Sequence, residues 1–158
     1  MMDRRRFLKA ALVAGTGVVT APTIWALATH SEDETGPPMI AYGRDRCDAC
    51  GMIIGDPRFA AAARQGSDVH RFDDIGCLIR HSRNALAGGQ ARGFVHDVES
   101  ELWIPAPGAW YVRLRAIRTP MNYGIAAFTD ADGARRAYPG SEAMTFDAAL
   151  AALVEKRS

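Results

Sequence analysis

The sequence lacks an excess of either charge, because 19 lysines and arginines stand against 18 acidic side chains. A chain without a strong basic field cannot attract nucleic acid over its whole surface, so we expect no nucleic-acid partner. Its three cysteines are too few for a disulfide framework, and the odd number leaves at least one thiol unpaired in an oxidised monomer. Neither a Ser-His-Asp order, a phosphate-binding loop nor a glycine-rich dinucleotide motif is visible. What is present, 48% hydrophobic and 23% charged residues, is typical of one compact domain or two small lobes.

The first 28 residues predict an export signal. Residues 4–9 read RRRFLK, and the uncharged stretch 10–28 ends in the small-x-small pattern Ala26-Leu27-Ala28. An arginine pair before Phe-Leu-Lys favours the twin-arginine pathway over an ordinary Sec signal, and therefore a periplasmic location. No cysteine follows the apolar stretch until Cys47, so we do not expect a lipoprotein. A signal left uncleaved would keep the protein at the membrane.

Residues 29–38 predict a linker, because they are polar and include an acidic cluster and two successive prolines. The segment 39–158 is then the folded domain. Four basic residues and one acidic residue lie in 1–28, which leaves 15 basic and 17 acidic side chains, a formal charge of −2. A near-neutral domain of this kind is not steered to nucleic acid or to an anionic membrane.

Within 39–158 the sequence predicts an α+β fold, with locally paired strands and helices that cover one face. Strand candidates are 39–42, 58–64, 68–72, 93–98, 102–104, 111–117 and 124–129; helices are expected after Asp73 or Asp74, over 130–138 and from about Asp147. An extended segment joins a helix through Phe-Asp both at Phe72 and at Phe146, which indicates a duplicated unit. Aspartate is favoured at such a junction in any case, so coincidence explains the match nearly as well.

The residues that carry chemistry are concentrated in 47–52, which reads CDACGM. Two thiols three residues apart can face one point, and Met52 adds a thioether; such soft donors select Cu(I) over Mg, Ca or Mn. A lone Cys-x-x-Cys is also typical of a redox dithiol or of half a zinc site. Zinc normally needs four ligands, which Cys77 and a histidine would have to complete. Gly51 and Pro57 disfavour the long helix that begins at a thioredoxin-like motif, and a disulfide between Cys47 and Cys50 would close a short, strained loop.

Other candidate positions have simpler interpretations. Cys77 lies on the apolar side of the predicted first helix, where a buried cysteine is more often part of the core than a ligand. Helix capping explains Asp73 and Asp74 better than acid–base or hard-metal chemistry does. Met121 lies in a turn between proline and asparagine and is less easily assigned to the core. The scattered histidines are interpreted as surface or capping residues: His70, His81 and His96.

Three motifs in order resemble the NosL family of exported copper-binding accessory proteins for the assembly of nitrous-oxide reductase. They are CDACGM at 47–52, FDDIGC at 72–77 and TPMNYGIAAF at 119–128, within a resemblance that runs from about Cys47 to Leu153. The resemblance implies two ββαβ-like lobes, over about 39–90 and 91–158, in a fold related to the organomercurial lyase MerB, whose activity a shared fold does not transfer. It also implies one Cu(I) bound by cysteine and methionine side chains. Cys50 is the strongest candidate ligand and Met121 the next, with Met52 and Cys47 weaker.

The resemblance further implies that the protein is a carrier rather than an enzyme. Its partners would be apo nitrous-oxide reductase and the membrane-associated maturation proteins of that enzyme. Many family members are lipoproteins, unlike this chain, and some serve outside nitrous-oxide pathways, so the client is less well specified than the metal. Asn122 and Tyr123 follow Met121 where relatives often have glycine and sometimes histidine. A periplasmic thiol–disulfide oxidoreductase and a zinc-binding or structural assembly factor are the alternative functions.

Overall fold

The computed structural model describes residues 35–153; the predicted export signal and most of the predicted linker lie outside this range. The elements are β1 (Ala61–Gln65), β2 (Asp68–Phe72), α1 (Ile75–Ala87), β3 (Arg92–His96), β4 (Trp103–Pro105), β5 (Trp110–Arg113), β6 (Ile125–Phe128), α2 (Ala131–Ala137) and α3 (Phe146–Ala152). Short 3-10 turns occupy Pro57–Phe59 and Ala106–Gly108. This mixture of antiparallel sheets and helices confirms the predicted α+β class.

The first sheet is antiparallel, with strand order β2-β1-β3-β4. A two-residue turn connects β1 to β2, since Gln65 pairs with Asp68, and Gly66 adopts a φ of +60°, which a glycine reaches without steric cost. Strand β1 is central, and its alanines leave room for α1 to pack closely on it. The predicted strand 58–64 begins later in the structure because Pro57–Phe59 forms a 3-10 turn.

Helix α1 begins where the sequence predicts, directly after the acidic pair. The Asp74 carboxylate accepts the backbone N–H of Gly76 at 2.8 Å and so caps the helix. One face of the helix is buried in the core, while Arg80, His81 and Arg83 lie toward solvent. The start of α1 is therefore fixed against the first sheet, and this end of the helix carries Cys77.

The second sheet consists of β5 and β6, and Met144 pairs with β5 on the side opposite β6. The backbone N–H and C=O of Tyr111 both bond to Met144, each at 2.8 Å. Each half of the domain therefore has the order ββαβ: β1-β2-α1-β3 in the first, and β5-β6-α2 followed by the Met144 bridge in the second.

The repeat has a different register from the one that the sequence indicates. In the ββαβ order the counterpart of the junction at Phe72 is Phe128, which ends β6 and precedes α2 with its Asp130 cap. Phe146 instead begins α3, after the Met144 bridge. The two aspartates of the Phe-Asp match also differ in position, since Asp73 precedes the Asp74 cap of α1, whereas Asp147 follows the Thr145 cap of α3. The change between sheets comes after Pro105, later than the boundary near residue 90, because β3 and β4 pair within the first sheet.

One predicted strand is wrong. Residues 39–42 are not a strand, because the chain turns at this point: Asp45 accepts the N–H of Ala41 on its carboxylate at 2.8 Å, and the Ala41 carbonyl accepts the N–H groups of Arg44 and Asp45. Over residues 35–153 the longest helix has 13 residues, and none combines the length and the apolar character needed to cross a bilayer.

Candidate metal centre

The segment 46–53 folds into a tight loop closed by an antiparallel bridge between Arg46 and Ile53. The N–H of Cys47 donates to the carbonyl of Met52, and the N–H of Gly51 donates to the carbonyl of Cys47, each at 2.8 Å. Gly51 has a φ of +76°, a left-handed conformation that favours glycine. The chain thus turns back between the cysteines and begins no helix there, in agreement with the sequence prediction.

Asp48 attaches this loop to the end of β2. Its carboxylate accepts the N–H of Arg71 at 2.9 Å, and its own N–H donates to the Arg71 carbonyl at the same distance. The cysteine loop is consequently held beside the junction between β2 and α1, where Asp73 and Cys77 lie.

Three thiols and one carboxylate converge at this junction. The ligand atoms of Cys47, Cys50, Asp73 and Cys77 all lie within 4.8 Å of one another, and each of the three cysteines is a free thiol. Cys47, Asp73 and Cys77 are buried, whereas Cys50 is partly exposed. The cluster therefore has a buried back and one thiol at its solvent side.

The carboxylate of Asp73 is only half satisfied. Its Oδ1 accepts the Cys50 thiol at 3.3 Å, but its Oδ2 is buried and has no hydrogen-bond partner among residues 35–153. Leaving such an oxygen unpaired costs about 1–3 kcal/mol, and more if the group is charged. A cation bound among the thiols would supply the missing partner, so these residues fit a metal ion.

Two of the thiols, those of Cys50 and Cys77, have raised pKa values and are protonated at neutral pH. Burial raises the pKa of Cys50 to about 11; the Met52 N–H opposes this, and hydrogen bonds with Cys47 and Asp73 add to it. Burial also raises the pKa of the Cys77 thiol, and the neighbouring Cys47 and Asp73 contribute in the same direction. Redox-active cysteines have lowered pKa values, so this cluster does not resemble a nucleophilic dithiol. A metal ion that binds a thiolate here must release a proton.

The turn that carries Met121 is fixed to the start of α1. One oxygen of Asp74 accepts the Thr119 hydroxyl at 2.6 Å and the Met121 N–H at 3.0 Å. The N–H of Asn122 donates to the Thr119 carbonyl at 2.9 Å, and Asn122 has a φ of +57°, which asparagine tolerates better than most residues. The helix cap and the methionine turn are therefore held by the same carboxylate.

An open cavity of about 540 Å³ connects these segments, and Cys50, Cys77 and Met121 all line it. The remaining lining residues are Asp48, Ala49, Ile79, Arg80, His81, Arg83, Asn84, Tyr123, Leu150 and Leu153. Residues with thiol and thioether side chains, from three distant parts of the sequence, thus line the same cavity.

The four predicted ligands have different positions. Cys50 and Met121 both line the cavity, and Cys47 belongs to the thiol cluster but is only 3% exposed. Met52 does not line the cavity, and 48% of its surface is exposed.

Two cluster members have other preferred interpretations in the sequence: Cys77 is offered to a zinc site but assigned rather to the core, and Asp73 is assigned to capping. In the structure Asp74 alone caps α1, which leaves Asp73 directed toward the cysteines. The four-residue spacing between Asp73 and Cys77 is a signal that could have paired them, because such positions are neighbours at a helix start.

Comparison with known proteins agrees with this architecture. The NosL family model matches residues 38–148. The fold is similar to that in the crystal structure of the copper chaperone NosL from Shewanella denitrificans, with a TM-score of 0.57 and 21% identity over 70% of this chain and 92% of that chain. No curated protein matches the chain. Since the family match covers well over half of the 158 residues, the chain belongs to the NosL family.

Proposed function

We propose that this protein is an exported copper carrier that binds one Cu(I) in the sulfur-lined cavity and delivers it to a periplasmic copper enzyme. The observation that carries the proposal is that Cys50 and Met121, which have thiol and thioether side chains, line one cavity. Membership of the NosL family supports it, as does the likeness in fold to a protein described as a copper chaperone.

The donor set favours the monovalent ion. Thiolate and thioether are soft ligands, which Cu(I) prefers and which Mg, Ca and Mn do not. Met121 can bind without losing a proton, whereas the protonated Cys50 must release one. Cys77 lines the same cavity and offers a further sulfur, and the Oδ2 of Asp73, unpaired within residues 35–153, lies beside the thiols and would face the cation.

The position of the site suits a carrier rather than a catalyst. Cys50 is the member of the thiol cluster that reaches solvent, and the cavity is open. An ion held by few ligands can accept a further ligand from a recipient before it leaves its first ones. Met52, an exposed residue of the loop 46–53, would then contact an arriving ion rather than hold a resident one.

The recipient we propose is apo nitrous-oxide reductase, together with its membrane-associated maturation proteins. This assignment rests on the NosL family and on the predicted twin-arginine signal in residues 1–28. Delivery would then take place in the periplasm, where a folded carrier arrives through the twin-arginine pathway.

Zinc is the second candidate cargo. Three thiols and one carboxylate within 4.8 Å form a donor set that a tetrahedral Zn²⁺ accepts. The two candidates use different residues: zinc requires the buried Cys47 and Asp73, whereas Cu(I) in the cavity requires Met121.

Anaerobic titration with Cu(I) in competition with a chromophoric chelator tests the proposal. Cys50→Ser should weaken binding by about 100-fold or more and Met121→Ala by about tenfold, since each tenfold corresponds to about 1.4 kcal/mol. Met39→Ala is the matched control, because that methionine is 63% exposed and does not line the cavity. Unchanged affinity in Cys50→Ser would refute the proposal. Zinc binding that survives Met121→Ala, without tight Cu(I) binding, would establish the second candidate instead.

A further inference from the structure

A second cavity, of about 600 Å³, adjoins the metal cavity. Its lining residues are Arg113, Leu114, Arg115, Arg118, Asn122 and Tyr123. Three of the six are arginines and none is acidic, so we call it the arginine cavity. Tyr123 lines both cavities and forms the wall between them.

The fold holds the arginines together. Arg113 ends β5, and the chain then turns, with the N–H of Ile117 bonded to the Leu114 carbonyl at 3.1 Å. Ile117 is buried in the core, which directs the neighbouring Arg115 and Arg118 outward. Because the buried Ile117 anchors this turn, the arginine side chains lie on its solvent side.

In the part of the chain that the structure describes, the arginine cavity has no acidic lining residue. Within residues 35–153, no acidic side chain forms an ion pair with any of the three arginines. Within the same residues, the hydrogen bond of these guanidinium groups runs from Arg113 Nη1 to the carbonyl of Ala152. Like charges around one cavity repel one another, and an anion that binds there reduces the repulsion.

The positive character continues along the metal cavity, where Arg80 and Arg83 are lining residues. Arg80 donates to the hydroxyl of Tyr123 at 2.7 Å, so the tyrosine that lines both cavities is also hydrogen-bonded to a guanidinium group. This character is local, since residues 29–158 carry a formal charge of −2. Guanidinium groups spread over two adjoining cavities suit several carboxylates on one chain better than one small anion.

We propose that the arginine cavity binds an acidic segment of the protein that receives the metal ion. A recipient whose carboxylates lie among Arg113, Arg115 and Arg118 has its next residues at Tyr123, beside Cys50 and Met121 in the metal cavity. The arginines thereby align the recipient with the cargo. This role rests on the proposed function, whereas the binding of an acidic peptide is tested without copper.

The probe is a fluorescein-labelled peptide of alternating glutamate and glycine, about ten residues long so that it spans roughly 33 Å when extended. Fluorescence anisotropy measures its binding to the full-length, metal-free protein at low ionic strength. Arg115→Gln combined with Arg118→Gln should weaken binding about tenfold or more, because charge-assisted hydrogen bonds are lost. The matched control, Arg44→Gln with Arg136→Gln, removes the same charge from two exposed positions outside both cavities and should bind like the wild type.

The Cys50→Ser variant separates the two proposals. We expect it to bind the peptide like the wild type, even though it loses Cu(I). Equal weakening in the two double variants, or the absence of saturable binding, would overturn the inference. Complete displacement of the peptide by an equal concentration of inorganic phosphate would overturn it too, by making the cavity a small-anion site. Failure of Cu(I) to bind while the peptide still binds would refute only the copper carrier.

Discussion

Asp74 fixes Met121 in place: its Oδ2 accepts the Met121 N–H at 3.0 Å, while its Oδ1 caps α1 through the N–H of Gly76. The helix that carries Cys77 and the turn that carries Met121 are therefore positioned by one buried side chain. Any carrier function that needs a thiol and a thioether in the same cavity depends on this residue, although it offers the metal no ligand of its own.

Replacing Asp74 should therefore affect both stability and metal binding. We expect Asp74→Ala to lower the free energy of unfolding by about 2 kcal/mol, because a cap is lost and buried donors lose their acceptor. We also expect Cu(I) affinity to fall about tenfold as the Met121 turn loosens. Chemical denaturation and Cu(I) competition measure the two effects.

Asp130→Ala is the control, because Asp130 caps α2 in the same way through the N–H of Gly133 and does not line the cavity. It should reduce stability and leave Cu(I) affinity unchanged. An Asp74→Ala protein that binds Cu(I) as tightly as the Asp130→Ala protein would show that the Met121 turn does not need this anchor.

Gly76 leaves room for Tyr123. A Cβ built on Gly76 would lie 2.2 Å from the Cγ and Cδ2 atoms of the Tyr123 ring, so a side chain there must displace the wall between the two cavities. We expect Gly76→Ala to lower the free energy of unfolding by about 1–3 kcal/mol, as overpacking usually does. Gly55→Ala meets no atom within 4 Å and is the control for thermal unfolding. Equal melting temperatures for the two variants would contradict the close contact.

We expect the side-chain charge of Asp73 to affect the affinity for Cu(I) more than it affects the hydrogen bond to the Cys50 thiol. Asp73→Asn keeps an acceptor for the Cys50 thiol but removes the negative charge beside the cluster. We expect Cu(I) affinity to fall about tenfold, since a nearby opposite charge is lost from a partly buried site. Asp147→Asn, at an exposed position in the first turn of α3, should have no such effect. Identical Cu(I) affinities for the two variants would exclude an electrostatic role for Asp73.

The surroundings of His96 predict how the free energy of unfolding depends on pH. Its Nδ1 donates to the Glu101 carbonyl at 2.7 Å, its Nε2 accepts the Tyr42 hydroxyl at 2.9 Å, and its ring packs on Trp103. Burial lowers the pKa of His96 below its usual 6.5, against smaller opposing effects from Glu101. Below pH 6.5 the unfolded chain consequently binds more protons at this residue than the folded one does.

The His96 contribution to stability is therefore undiminished above pH 6.5 and is lost as the pH falls toward the folded-state pKa. We expect His96→Asn to remove this part of the pH dependence in urea denaturation below about pH 6.5, whatever its effect on absolute stability. An unchanged slope in His96→Asn would show that His96 does not take up its proton in this range.

Local elements could be predicted from the sequence because their causes are local. The start of α1 follows from the cap at Asp74, and the β1–β2 hairpin follows from Gly66 between two extended segments. The failed strand at 39–42 depends on Asp45, whose side chain turns the chain back through a contact that apolar patterning does not reveal. Likewise, the register of the repeat depends on the Met144 bridge to Tyr111, which forms only in the folded protein.

Only part of the candidate metal site could be predicted from the sequence, because the rest depends on contacts that form only in the folded protein. The pairing of Cys50 with Met121 follows from the family resemblance, and both residues do line one cavity. Cys77 and Asp73 join the site because Asp48 ties the cysteine loop to the end of β2, a tertiary contact between segments 23 residues apart. The arginine cavity likewise requires the end of β5 to meet the turn at Asn122 and Tyr123.

X-ray absorption at the copper edge of protein loaded with one equivalent of Cu(I) is the most direct test of the central claim. The account predicts a first shell of sulfur that loses one scatterer in Met121→Ala and is unchanged in Met39→Ala. A shell of nitrogen or oxygen ligands, or identical spectra for the wild type and Met121→Ala, would contradict it.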